Sequence, residues 1–431
     1  VVISTLNPAA MASFLPRLTR LYTRSFAGLP RKVWLLSLIM LVNRSGAMVI
    51  AFLSVYLVNA RGFSATDAGW VMAAFGSGGI VGNYVGGLLN DRYGSWHIMI
   101  ISLIGAGLLH ILIGQVTGFL PLCILVFLTA MTADAFRPAN RAAIAIYADR
   151  EHLTQAYGLQ RLAANLGFSV GPALGGVLIG TYGYTSLFWV DGFTFLVAAG
   201  LFVSMIPADE TSRPLVGSSP ALRRNTEALS DTRSALRQPW LIWLVLANTA
   251  VITCFFQIFS TAPVYLTGEG YTESQFGLLL TISGVLIVAV EMPLVYLADR
   301  RLRPLYVLLS GAALIWTGYL ILPLAVMTGY GVLVLWIVLI TLGEIFFMPF
   351  TSTYVATHAP PARRGEYLGV LSASYSLAFI LTPVVGFQLA ELMGYTHSIY
   401  AVSSLAVVGL LLLLGVDRAR ATRDRQLRLA K

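Results

Sequence analysis

The chain has 431 residues, of which 57% are hydrophobic and only 11% charged, so it cannot show a charged surface to water on every side. Apolar stretches of about 20 residues, the length that crosses a hydrocarbon core, recur along almost the whole sequence and leave little chain for a soluble domain. The formal charge of +9 is gathered in loops, and that distribution argues against a nucleic-acid partner.

Residues 1–32 open with Phe14, Leu15, Leu18, Leu21, Tyr22 and Phe26 set against Arg17, Arg20 and Arg24, the pattern of an amphipathic helix lying on the inner leaflet. Residues 1–10 precede Met11 and carry no functional weight. No apolar core followed by a small-residue cleavage site precedes Val33, so no cleavable signal peptide is expected. Six spans follow, at 33–58, 69–90, 96–117, 119–147, 156–180 and 184–206. After a basic, Ser-containing linker at 207–239 come six more, at 240–266, 275–297, 304–326, 330–357, 366–390 and 394–416, and a basic tail at 417–431. Each span is expected to be a helix, because in lipid a segment must satisfy its own backbone. The runs are continuously apolar rather than alternating, which excludes a transmembrane barrel.

An even number of spans puts both termini and the middle linker on one side. That side collects Arg31, Lys32, Arg213, Arg223, Arg224, Arg233, Arg237, Arg300, Arg301, Arg303, Arg363 and Arg364, while the opposite loops offer Arg61 and almost nothing else. Such asymmetry assigns the basic side to the cytoplasm. Cys123 and Cys254 fall in different spans, and the five histidines lack ligand spacing, so neither a disulfide, a metal centre nor any cofactor is expected.

Few charges lie inside the spans, where each costs about 2.5–3.5 kcal/mol to insert and so needs a polar cavity or a partner. Arg44 lies in the first span, Asp134, Arg137 and Arg141 in the fourth, Asp191 in the sixth, Glu291 in the eighth and Glu344 in the tenth. Asp134, Arg137 and Arg141 follow i, i+3, i+7 spacing and share one helix face. That face is expected to line a central cavity, with Arg137 and Arg44 as partners for Asp134. Glu344 is acidic, central and isolated, and a desolvated carboxyl favours its protonated form. It is therefore the first proton-coupling candidate and Asp134 the second. Glu291 is read as a gate contact or a solvated helix end, and Asp191 as a residue near the outer boundary.

The sequence also repeats. Pro138 and Pro349, Gly158 and Gly369, Pro172 and Pro383, Gly175 and Gly386, and Gly183-Tyr184-Thr185 and Gly394-Tyr395-Thr396 all lie 211 residues apart. Asp91-Arg92 and Asp299-Arg300 match at an offset of 208. Two related six-helix halves, 33–206 and 240–416, follow from this register.

Gly87-Leu88-Leu89-Asn90-Asp91-Arg92-Tyr93-Gly94 resembles the G-x-L-x-D-R-x-G signature of the major facilitator superfamily, although Ser95-Trp96 replaces the basic pair usual after the second glycine. Gly167-Phe168-Ser169-Val170-Gly171-Pro172-Ala173-Leu174-Gly175-Gly176 resembles, at every fixed position, that superfamily's antiporter motif. Gly343-Glu344 followed by Pro349 is similar to a feature of proton-driven multidrug exporters. The resemblance covers residues 33–416 and implies an all-α membrane protein with twelve transmembrane helices in two pseudo-symmetric bundles. It further implies that Asp91 latches the two halves at the start of the eleventh span, near Gly365, with Arg92 available to Asp149.

The expectation is a secondary transporter of the bacterial inner membrane, not an enzyme. It would export a lipophilic small-molecule drug or related compound, such as a lipophilic cation, in exchange for inward protons by alternating access, with lipid as its surroundings. Neither an ATP-binding loop nor a convincing catalytic constellation is present. A specific metabolite, anionic amphiphile or lipid is the alternative substrate if Arg44, Arg137 and Arg141 leave the cavity net positive.

Overall fold

The computed structural model describes residues 28–149, 152–208, 235, 238–360 and 363–429, so the amphipathic segment around Arg17 to Phe26 and most of the linker lie outside the described residues. Among the described residues, twelve helices make up the membrane domain: α1 Arg31–Ala60, α2 Ala65–Tyr93, α3 Ser95–Ile113, α4 Phe119–Tyr147, α5 Leu153–Tyr182 and α6 Thr185–Met205. The second series is α7 Pro239–Phe259, continued by Thr261–Gly268, α8 Glu273–Arg301, α9 Pro304–Thr328, α10 Tyr330–His358, α11 Arg364–Met393 and α12 Tyr395–Leu429. Eleven of these among the described residues are long and apolar enough to cross a membrane.

The exception is α2, whose 29 residues trade apolar side chains for glycines. A Cβ added at Gly78 would sit 2.1 Å from the Phe127 carbonyl oxygen, and one at Gly82 2.0 Å from that of Met131. The missing side chains let α2 lie directly on the backbone of α4, the close approach that small residues permit between membrane helices.

The helix packing repeats between the halves. In the first, α1 packs on α5 and α6, α2 on α4, and α3 on α4 and α6; in the second, α7 packs on α11 and α12, α8 on α10, and α9 on α10 and α12. The halves meet along two seams, α2 with α11 and α5 with α8, which the same pseudo-two-fold exchanges. Gly183 and Gly394, matched by the repeat, both take φ near +80° (77° and 80°) where α5 turns into α6 and α11 into α12, a backbone that favours glycine.

The first helix of each half is broken in its middle. In α1 the helical hydrogen bonds stop at Ser45 and resume at Met48, around Gly46, where a Cβ would meet Thr194 Oγ1 at 1.8 Å. In α7 the break falls at Phe256–Ser260, where the Tyr319 hydroxyl donates to the Phe255 carbonyl at 3.1 Å. A freed backbone group in a membrane interior must find such a partner.

Candidate functional site

A cavity of about 940 Å³ lies between the halves beside the α1 break. Its first wall is charged and comes from α1, α4 and α6: Arg44, Asp134, Arg137, Arg141 and Asp191. Its second wall, from α7 and α11, is formed by Phe256, Tyr375 and Phe379, with Phe75 of α2 closing the side. The i, i+3, i+7 face of α4 therefore lines the cavity as the sequence implied.

Arg137 Nε donates to Asp134 Oδ1 at 3.0 Å, and Arg44 is near enough to both to feel their charges. Asp134 thus lies among arginines, in a pair fixed by its own helix. Three guanidinium groups face two carboxylates along this wall, so its net charge is positive. Asp191 is not a boundary residue. It is 1% exposed, and its carboxylate accepts from Met48 N at 3.3 Å and Val49 N at 2.8 Å. These are the first amides of the resumed α1, the unpaired donors that every helix start carries, and a carboxylate is their favourable partner. Among the buried polar atoms of the lining, Asn43 Nδ2 has no hydrogen-bond partner.

His110 also lines the cavity. Its Nδ1 lies 2.8 Å from the Ala106 carbonyl, so Nδ1 carries the proton and Nε2 is left as the acceptor of the neutral ring. A single histidine in an apolar span carries no ligand spacing, so the place of His110 on the cavity wall is visible only in the fold.

The end of the cavity away from the linker is sealed. Across the α2–α11 seam, Thr66 N donates to Glu391 Oε2 at 2.9 Å, and a Cβ at Gly69 would stand 2.9 Å from the Pro383 carbonyl. Asn59 Nδ2 reaches Thr267 Oγ1 at 3.1 Å, and the Tyr184 hydroxyl bonds to Glu273. Along the α5–α8 seam, Ser274 Oγ donates to the Gly176 carbonyl at 2.9 Å and Thr281 Oγ1 to that of Ser169 at 2.8 Å.

The glycines of residues 167–176 serve two partners. Gly167, Gly171 and Gly175 face α1, where a Cβ would come within 2.6 Å of the Leu41 oxygen, 3.0 Å of the Ser45 oxygen and 2.9 Å of the Phe52 ring. Gly176 faces α8, 2.5 Å from the Glu273 oxygen, and the Pro172 carbonyl lies 2.2 Å from a Cβ placed on Gly277. This segment locks α5 simultaneously to the broken helix of its own half and to the other half.

At the linker end, Cβ atoms added at Gly87, Gly158, Gly365 and Gly369 would meet nothing within 4 Å among the described residues. Asp91 and Arg92 stand at this end of α2 before Gly94, and Asp91 Oδ2 is buried without a hydrogen-bond partner. Arg92 lies over the Tyr93 ring, and no Arg92–Asp149 ion pair is present among the described residues. The structure therefore leaves the latch residues apart.

Glu291 is buried and paired with Arg161 of α5 across the seam, an interaction that no spacing within one helix marks. Glu344 lies in α10 within electrostatic reach of both, so it is less isolated than its own span suggests. Phe256 and Tyr375 line the cavity, whereas Phe136, Tyr265 and Phe347 are core.

Residues 33–343 and 270–430 match the family model described as Major Facilitator Superfamily. The chain is 27% identical over 369 residues to an uncharacterized MFS-type transporter, YqjV, of Bacillus subtilis (strain 168), covering 85% of this chain and 87% of that one. It is 21% identical over 393 residues to a Na(+), Li(+), K(+)/H(+) antiporter of Planococcus maritimus, covering 85% and 91%. A solved POT family transporter in complex with 5-aminolevulinic acid superposes with a TM-score of 0.75 at 13% identity, covering 90% of this chain and 96% of that one, a likeness of fold.

Proposed function

From the premise that this chain belongs to the Major Facilitator Superfamily, we propose that it is a proton-coupled antiporter that expels an amphiphile bearing an acidic group by alternating access. The observation that carries the substrate class is the cavity's two-sided wall, with Arg44, Arg137 and Arg141 facing Phe256 and Phe379 across about 940 Å³. Guanidinium forks suit carboxylate, sulfonate or phosphate groups, and the aromatic wall suits an apolar body. Of the substrates weighed from sequence, the anionic amphiphile fits this charge balance and a lipophilic cation does not.

Proton exchange is supported by the 167–176 motif, by the acidic residues Glu344 and Asp134, and by the relationship to an antiporter from Planococcus maritimus. The excess of Lys and Arg at the linker end supports a cytoplasmic location for that end, and on that reading this conformation is open inward. The halves at 33–206 and 240–416 are then the rocking units, and Asp91 engages the start of α11 when the cavity faces outward.

The test is accumulation in energised inside-out vesicles of anilinonaphthalene sulfonate, an anionic amphiphile, against ethidium, a lipophilic cation. Wild type should accumulate the sulfonate. Arg44→Gln and Arg141→Gln should each weaken its apparent affinity about 10-fold or more, as loss of a charge-assisted hydrogen bond predicts. Accumulation of ethidium alone would replace this reading with cation export.

A further inference from the structure

The α5–α8 seam ends on its linker side in a cluster of charges that neither the cavity nor the 167–176 motif accounts for. Arg161, eight residues into α5, pairs with Glu291 of α8 across the boundary between the halves. Glu344 of α10 feels both of these charges. The phenol of Tyr375 on α11, which neighbours Thr351 of α10, feels Glu344 in turn. From α9, the helix packed most closely on α10, the contacts at Gly343 are Gly311 and Ile315, which bring no charge. The groups that bear on Glu344 are therefore Arg161, Glu291 and Tyr375.

One guanidinium neutralises one carboxylate. With a single Arg and two Glu the cluster carries a net negative charge unless one carboxyl holds a proton, and an unpaired charge here is costly. Arg161 is 53% exposed and Glu291 9%, so the cluster touches water at the linker end while its carboxylates sit inward. Glu291 and Glu344 belong to the C-terminal half and Arg161 to the N-terminal half, so any choice Arg161 makes between them acts on the boundary that must move.

We propose that Arg161 is the shared counter-ion of a proton switch, holding Glu291 across the seam while Glu344 carries the proton and turning toward Glu344 when that proton leaves. Arg161 acts through the two carboxyls and is a positioning residue. No bond beyond the carboxyl O–H changes: the proton enters from one aqueous side, resides on Glu344, and departs to the other. As Arg161 turns, its contact across the boundary shifts from α8 to α10, and that shift links deprotonation to movement of the halves. This inference rests on the proton-coupled reading above and identifies where the coupling is made.

The test needs no substrate, so its result is independent of the substrate class. Spin labels at His97→Cys and Leu302→Cys, on the linker faces of the two halves, in a background lacking Cys123 and Cys254, report the distance between halves from pH 5 to 9. The intact cluster should show a pH-dependent distance distribution that Glu344→Gln abolishes. Arg161→Gln should move the midpoint up by about one pH unit or more, because a cation that resists protonation is gone, and Glu291→Gln should move it down by a similar amount, because a like charge is gone. Arg161→Lys should keep the original midpoint within a few tenths of a unit. If Arg161→Gln does not fold, the Glu291→Gln and Arg161→Lys pair decides. A distribution that ignores pH with the cluster intact, or midpoints that coincide with and without Arg161 or Glu291, would overturn the proposal. Sulfonate transport with a pH-independent distribution would overturn the switch while sparing the export reading, and the reverse result would spare the switch.

Discussion

Asp191 illustrates how a buried charge holds a membrane helix together where its own hydrogen bonds stop. The carboxylate takes two amides of the resumed α1 at 2.8 and 3.3 Å, which neither water nor lipid would satisfy at that depth. Asp191→Ala should destabilise the protein by about 1–3 kcal/mol, the cost of leaving buried donors unpaired, and Asp191→Asn by less, since one acceptor oxygen remains. Thermal unfolding in detergent measures both, and an unchanged midpoint in the alanine variant would show that the α1 break does not need this cap. The sequence exposed such residues unevenly. Asp134 and Arg137 were legible as a pair because i, i+3 spacing fixes their contact within one helix. Arg161 and Glu291, 130 positions apart, were not, because their meeting depends on how two separately folded bundles dock.

The helices themselves were largely written in the apolar runs, and the repeat at 211 residues fixed which helices correspond. What hydropathy does not mark is an interruption of the backbone ladder inside an apolar run. The breaks in α1 and α7 had only local signals, the Asn43-Arg44-Ser45-Gly46 stretch and Gln257. The glycines of α5 and α8 carry an element-scale prediction. Gly277→Val places side-chain carbon where even a Cβ would stand 2.2 Å from the Pro172 carbonyl oxygen, so α5 and α8 must separate at a cost of about 1–3 kcal/mol. In a background lacking Cys123 and Cys254, a cysteine at Ser274 should then react faster with an impermeant maleimide added from outside the cell. Unchanged labelling would mean the seam absorbs the side chain without opening, and that close backbone contact there is not what seals the outer end.

For the molecule as a whole, two seams related by the same pseudo-two-fold close tightly at the end away from the linker, while an Arg161–Glu291 pair bridges one of them toward the linker, with a charged and aromatic cavity between them. On the proposed reading, rocking about these seams exposes that cavity to either side, and Asp134, Glu291 and Glu344 are where protons bias the exchange. The most direct test of this account is proton movement in energised inside-out vesicles on adding anilinonaphthalene sulfonate, with wild type beside Glu344→Gln. The account predicts that the sulfonate collapses the pH gradient in wild-type vesicles and leaves it intact in the Glu344→Gln vesicles, which still bind the compound. An equal collapse in both, or a sulfonate flux that proceeds with no proton movement at all, would contradict it.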